Sequence, residues 1–289
     1  SWSYNFSKDI LTKNAKKMVS NYNNYVEEFK KGQKSITEIT RASKKDMSWS
    51  AGLLDNLKRG KPAVFIQEDI TSGVYRPFQR MWLYRENFFI ERRYQTHVLF
   101  PNNANNLVIH TTGPGASVDF GALITNSIPN KLAMDNGQCF PMYFYPQSHL
   151  NDSADSLFDS DESSAQIDAV SDWALNEFRN KYGAEVTKED IFYYVYGVLS
   201  APQYQKRFKN ELKKQAPRVP LLNEFTAYSG FGRKLAKLHL NYENFKNEFC
   251  EVVIADTVRD DSELYKVEKM RFDKSSDKTS LIFNQIGRA

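Results

Sequence analysis

A chain of 289 residues with 41% hydrophobic and 26% charged side chains can bury a sizeable core and has an ordinary soluble composition. No apolar run approaches the ~20 residues of a membrane span, and no basic start with an apolar stretch marks a secretory signal, so membrane-inserted and exported classes are set aside. Net charge is only +4, so any polyanion-binding argument must rest on where the charges lie and not on their total.

The first predicted element is a helix over 6–29. Leu11, Ala15, Met18, Tyr22, Tyr25 and Phe29 step by three or four and share one face, and Gly32 ends the run. From about 62 to 146, short aromatic or β-branched runs punctuated by Gly, Pro and Asn predict strands at 63–66, 74–84, 106–110, 121–124 and 139–145. Residues 151–172 carry seven acids and no base, and 151–164 reads as an acidic linker.

Helices are predicted again beyond the linker. One covers 172–182 and stops at Gly183. A second, over 191–199, is preceded by a capping arrangement of Thr187 with Asp190. A third is opened by Pro202 and closed before Pro217, and a fourth covers 231–240. Strands at 251–255, 265–272 and 280–286 finish the chain. The expected fold class is α+β, with a strand-rich lobe over 1–150, the linker 151–164, and a helical lobe with terminal strands over 165–289. The chain starts without Met and stops just after a strand-like run, so both ends are expected to continue in a longer parent.

Catalytic signatures are missing. Gly60-Lys61 precedes Pro62 and lacks the upstream Gly of a phosphate loop, and Gly113-Pro114-Gly115 reads as a turn. His97, His110, His149 and His239 pair with no other ligand at metal spacing, and Cys139 and Cys250 lie far apart, as in a reduced cytoplasmic protein. No nucleophile elbow appears, and Glu211 with Lys213 has no upstream Pro-Asp to complete a nuclease centre. No catalytic, metal or cofactor residue is assigned.

Basic helices stand out instead. Between 202 and 216, Tyr204, Phe208 and Leu212 form one stripe, and Lys206, Arg207, Lys209, Lys213 and Lys214 occupy most of the opposite surface, with Glu211 the lone acid there and Arg218 beyond Pro217. The next helix repeats the design, with Phe231, Leu235 and Leu238 on one face and Arg233, Lys234 and Lys237 projecting away. Such faces suit a phosphate backbone, or else are solvated surface. The stretch 74–95 raises the same choice, with five arginines among seven aromatic rings. Interleaved Arg and rings can grip nucleic acid, whereas the commoner arrangement puts Trp82 and Tyr84 in the core and pairs the guanidiniums with acids or carbonyls.

An ordered set of motifs adds a family argument. Leu57-Lys-Arg-Gly-Lys61, Tyr75-Arg-Pro-Phe78, Trp82-Leu-Tyr84, Asn106-Leu-Val-Ile109, the run 120–129 and Asn136-Gly-Gln-Cys-Phe-Pro141 come first. They continue in 191–199, 204–220 and Gly232-Arg-Lys-Leu-Ala-Lys-Leu-His-Leu-Asn-Tyr-Glu243. Together they resemble the C-terminal specificity region of Type ISP restriction-modification enzymes, from about residue 6 to the end of the chain.

The resemblance implies a double-stranded DNA target-recognition domain, non-catalytic itself. Its parent would carry a nuclease, a helicase-type translocase and an adenine N6-methyltransferase domain, the last a docking partner. S-adenosylmethionine, ATP and Mg would serve those other domains. Shared motifs such as 75–78 and 232–243 then serve folding, phosphate contacts or docking. Sequence choice falls to the loops 41–50, 67–72, 95–105 and 111–119. Arg41, Lys44 and Lys45, then Asn102, Asn103 and Asn105, are the expected base readers, because long donors reach guanine edges and amides pair with adenine. Arg76, Arg80, Lys206, Arg207, Lys213, Lys214, Arg218, Arg233, Lys234 and Lys237 are the expected phosphate contacts. Two other classes stay open: a remnant nucleic-acid enzyme with a dispersed catalytic site, and a protein-interaction module that buries its basic helices on an acidic partner.

Overall fold

A computed structural model of the chain describes residues 3–90, 94–101, 104–145, 166–244, 270–273, 277 and 279–282. By contacts the chain divides into two units, Ser1–Glu243 and Asn244–Ala289.

The first unit begins with strand β1 (Tyr4–Asn5) and helix α1 (Lys8–Lys30). The Ser7 hydroxyl caps α1 by accepting from the Ile10 N–H, and Lys30 sits in its last turn, where a cation suits the helix dipole. The expected stripe is buried at Leu11, Ala15, Met18 and Tyr22, joined by Val19 and Val26. Two short helices follow, α2 (Ile36–Ala42) and α3 (Ala51–Lys58). Neither was expected, and α2 places Arg41 on a helix and not in a loop. A reciprocal cap between Ser35 and Glu38 starts α2, but with Ile39 its one buried residue it shows no periodic stripe.

The expected strand at 63–66 is irregular. Its backbone pairs with a side chain of α1: the Asn23 amide donates to the Ala63 carbonyl (2.9 Å) and accepts from the Ala63 N–H (2.8 Å). The run 74–84 is not one strand but a hairpin of β2 (Ile70–Arg76) and β3 (Gln79–Tyr84), turning at Pro77-Phe78 with Phe78 at φ 55°. Tyr84 stacks on Phe65 (5.6 Å between centroids) within the α1 core, so the rings of this stretch are mainly scaffold.

After the short helix α4 (Thr96–Leu99) come β4 (Val108–Thr111), β5 (Ala122–Thr125), β6 (Ile128–Pro129), β7 (Gln138–Pro141), β8 (Tyr143–Phe144) and β9 (Ile167–Asp168). One sheet has the order β1-β3-β2-β6, with β6 parallel to β2; a second, antiparallel, has the order β5-β4-β7. Buried Asn106 fixes the entry to β4. Its amide donates to the Leu99 and Tyr143 carbonyls (both 2.8 Å) and accepts from the Leu107 and Tyr143 N–H groups.

The helices are α5 (Asp172–Tyr182), α6 (Lys188–Ser200), α7 (Pro202–Arg207), α8 (Lys209–Leu212) and α9 (Phe225–Leu240). Gly183 and the Thr187–Asp190 box delimit α5 and α6 as expected. The helix predicted over 202–216 breaks at Phe208 and stops earlier. Ile109, Ile124 and Met142 of the strand-rich part share one core with Phe178, Tyr194, Tyr196 and Leu199 of the helical part. The acidic segment 151–164 lies outside the described residues, as do the strand expected at 251–255 and most of the two after it. In the second unit, β10 (Arg271–Phe272) pairs antiparallel with β11 (Leu281–Ile282). The fold is α+β.

Helix α9 is rotated from its expected setting. Phe225, Ser229, Gly232 and Ala236 face inward, whereas Phe231 and Leu238 are 46% and 51% exposed. The reason is its partner: α6 and α9 cross at two glycines, and a Cβ on Gly232 would lie 1.9 Å from the Tyr193 carbonyl oxygen. Small residues let the two backbones touch, so the buried face carries few of the large apolar side chains that periodicity detects.

Candidate nucleic-acid interface

Six basic side chains lie exposed between α7 and the segment after α8: Lys206, Arg207, Lys209, Lys213, Lys214 and Arg218. Buried Tyr204 and Leu212 anchor the helices from below, and the Tyr204 hydroxyl donates to the Arg218 carbonyl (2.8 Å), folding the outgoing chain back. Among the described residues Lys206, Lys214 and Arg218 have no ion-pair partner, and Arg207 lies against the ring of Phe208.

The loop 112–121 is clamped to this segment. The Gly115 N–H donates to the Lys213 carbonyl (2.9 Å), Lys209 bridges to Asp119 at 3.0 Å, and Lys213 reaches it at 3.8 Å. The hydrogen bond from Lys209, its charge and that of Lys213 hold the Asp119 carboxyl below the usual range. On its other side the loop is tied to Asp135, whose carbonyl accepts from the Gly113 N–H (3.1 Å) and whose carboxylate accepts from the Ser117 N–H and hydroxyl (2.7 Å each). Gly113-Pro114-Gly115 is a turn, with Gly115 at φ 75°. The sequence marked this loop as a candidate but not its clamps, Lys209 and Asp135; the break at Phe208 that aims Lys209 has no sequence signal.

Two of the expected phosphate contacts have intramolecular roles. Arg233 forks between Glu189 (2.6 Å) and Asp190 (2.8 Å) at the start of α6, locking α9 to it. Arg80 pairs with Glu243 (3.2 Å), and its backbone N–H donates to the Tyr242 hydroxyl (3.0 Å). Phe78 meets His239 and Tyr242 edge-on, at 5.1 and 5.4 Å between centroids. The hairpin turn and the end of α9 therefore brace one another. Arg76 is exposed and stacked over Tyr75 at 4.6 Å, and Lys234 and Lys237 point outward from α9.

The expected base readers are dispersed. Arg41, on the last turn of α2, and Lys44 and Lys45, in the turn after it, are exposed over the α1 core, beside Trp49, whose indole N–H donates to the Ser43 hydroxyl (2.7 Å). No hydrogen bond or ion pair among the described residues joins that patch to 206–218. Asn105 is exposed, its carbonyl accepting from the Tyr145 hydroxyl (2.7 Å). Asn102 and Asn103 lie outside the described residues.

A cleft of about 660 Å³ lies between the two sheets, lined among others by Leu83, Arg85, Leu99, His110, Ile128 and Cys139. His110 and Cys139 oppose one another across β4 and β7. Burial pushes His110 down to about 4 and Cys139 up to about 12, so at neutral pH this pair carries neither imidazolium nor thiolate. Among the described residues no three His, Cys, Asp or Glu side chains stand together as a metal site, and no helix is long and apolar enough to cross a membrane.

The model of the Type ISP C-terminal specificity domain matches residues 1–288. The chain belongs to this family. Solved structures similar to this specificity domain include the ATP-dependent Type ISP restriction-modification enzyme LlaBIII bound to DNA, at 29% identity and a TM-score of 0.78 over 98% of this chain. A nuclease-deletion mutant of the Type ISP enzyme LlaGI in complex with a DNA substrate mimic shares 29% identity, with a TM-score of 0.73 over 98%. A DrdV–DNA complex, at 24% identity and a TM-score of 0.73 over 85%, shares the fold. The specificity domain spans 17%, 24% and 22% of those three chains, in that order. No curated protein sequence matches it.

Proposed function

We propose that this chain recognises a specific sequence in double-stranded DNA as the specificity domain of a larger cytoplasmic restriction-modification chain. The observation that carries the reading is the exposed cationic run 206–218, clamped to a preorganised loop, in a chain 29% identical to two enzymes described in complexes with DNA or a DNA mimic. Lys206, Arg207, Lys213, Lys214 and Arg218 form the main phosphate-contacting surface, with Arg76, Lys234 and Lys237 as outlying contacts. Arg80 and Arg233 serve as scaffold instead. Arg41, Lys44, Lys45 and the asparagines 102, 103 and 105 form a second candidate surface for base contacts.

In the parent, adenine methylation with S-adenosylmethionine and ATP- and Mg-dependent translocation and cleavage belong to other domains. The outer face of α9 carries the exposed apolar side chains Phe231 and Leu238 beside Lys234, and these two favour docking of the methyltransferase domain there.

Binding to a duplex, measured against salt concentration, tests the phosphate surface. Replacing Lys206, Arg207, Lys213 and Lys214 together by Gln should flatten the plot of log affinity against log salt by up to about 3–4, since each phosphate contact contributes about 0.9 to the slope. Unchanged affinity and unchanged slope would remove this segment from the interface.

A further inference from the structure

Asp119 is an exposed acid beside the basic run 206–218, which itself carries one exposed acid, Glu211. Lys209 and Lys213 hold it, and Lys214 follows in the same segment. We infer that the loop 113–119 enters the major groove and that Asp119 reads a base edge there, accepting a hydrogen bond from the exocyclic amine of a cytosine; the inference rests on the proposed DNA recognition.

The loop is built as a rigid probe. Its amides at Gly113, Gly115 and Ser117 are bonded to Asp135 and to the Lys213 carbonyl, so the loop is ordered before any ligand arrives. Val118, 52% exposed, and Asp119 remain outward at the tip. Those main-chain anchors make the two Asp119 ion pairs unnecessary for holding the loop, and exposed pairs of this kind are worth only about 0–1 kcal/mol.

A carboxylate on a phosphate-facing surface repels DNA unless it finds a donor. Major-groove edges offer amino donors on cytosine and adenine, and the recurrent carboxylate pairing is with the cytosine amine. Lys209 and Lys213 resolve the conflict in two stages. In the free protein their ammonium groups neutralise Asp119. On the duplex the same groups turn to the flanking phosphates, which is an easy exchange between solvated partners, and the carboxylate is released to the base. Lys209 then positions, and Asp119 specifies.

The test is selection of duplexes from a randomised library by the purified full chain, at one fixed salt concentration. Wild type, Asp119→Asn and Lys209→Gln are compared. Wild type should enrich a motif with an invariant C·G pair. Asp119→Asn should lose or switch preference at that pair alone, by about tenfold or more. Lys209→Gln should keep the motif while binding every duplex more weakly. If Asp119→Asn returns the wild-type motif with affinity raised uniformly, the acid is only a source of repulsion and the inference is overturned, while DNA recognition stands. If wild type enriches nothing, DNA recognition by this chain fails as well.

Discussion

Replacing Gly232 by Ala should destabilise the first unit, whereas the same change two residues earlier should stabilise it. Both glycines lie inside α9, where Ala is favoured over Gly by about 1 kcal/mol through backbone entropy. At Gly230 nothing stands within 4 Å of an added Cβ, so the propensity gain is realised in full. At Gly232 the methyl would sit 1.9 Å from the Tyr193 carbonyl oxygen and 3.1 Å from the Gly197 nitrogen, both backbone atoms of a helix that cannot yield alone. Restoring ordinary contact needs α6 and α9 to part by roughly 1.5 Å. That separation loosens the shared core and strains the Arg233 fork. Overpacking costs about 1–3 kcal/mol, and against rigid backbone the upper end applies, so after the propensity gain Gly232→Ala should lose about 1–2 kcal/mol. Gly230→Ala should gain about 0.5–1 kcal/mol. Urea unfolding followed by circular dichroism reads both midpoints. A Gly232→Ala protein as stable as the wild type would refute the backbone-to-backbone crossing.

Two further outcomes concern the buried His110 and the paired Arg233. His110 titrates at about 4 in the folded chain against an ordinary 6.5, because burial disfavours its cation. The unfolded chain therefore takes the proton first as pH falls. The stability contributed by neutral His110 is fully present above about 6.5 and lost towards 4, reaching about 2 kcal/mol by pH 5. His110→Asn should flatten the stability profile between those values, with His239, shifted in the same direction, unchanged in both proteins; equal slopes for the two would refute the assignment. Arg233→Gln should lower stability by about 1 kcal/mol, discounted for partial exposure, yet leave the salt dependence of DNA binding as it was; a flatter salt slope would return Arg233 to the interface.

Where the chain announced its structure, local chemistry was self-sufficient. The stripe of α1, the Thr187–Asp190 box and Gly183 each specify their element without help from elsewhere. Ser35 and Glu38 carried the same capping signature, but the helix they start is too short to show a period. Elements shaped by distant partners were illegible. The strand expected at 63–66 is diverted by Asn23 forty residues away, and α9 leaves Phe231 and Leu238 outward because its glycines pack against α6. Among candidate site residues, the sequence identified the basic run 206–218 and the loop 111–119. It could not show that they touch, since the contact joins segments far apart in the chain, through a main-chain bond from Gly115 to Lys213 and ion pairs of Lys209 and Lys213 with Asp119.

Ion pairing within the chain sets two arginines apart from the other proposed phosphate contacts. Arg80 and Arg233 have planar forks that two acceptors can hold at once, and each is fixed by acids of its own chain. Lys206 and Lys214 keep their ammonium groups in water, free to exchange solvent for phosphate. The loop 113–119, the proposed specificity element, is held mainly through its main chain. Two of its anchors are main-chain bonds, Gly113 to Asp135 and Gly115 to Lys213, and the others come from Ser117 and Asp119; the side chains of Ala116 and Val118 take part in none. Residues at the tip can therefore change without loosening the loop or the core beneath it. A specificity element must be rigid enough to discriminate and cheap to rewrite. Anchoring through the main chain and Ser117 suits the proposed role, because the base contact proposed for Asp119 gives up only two exposed, weak ion pairs.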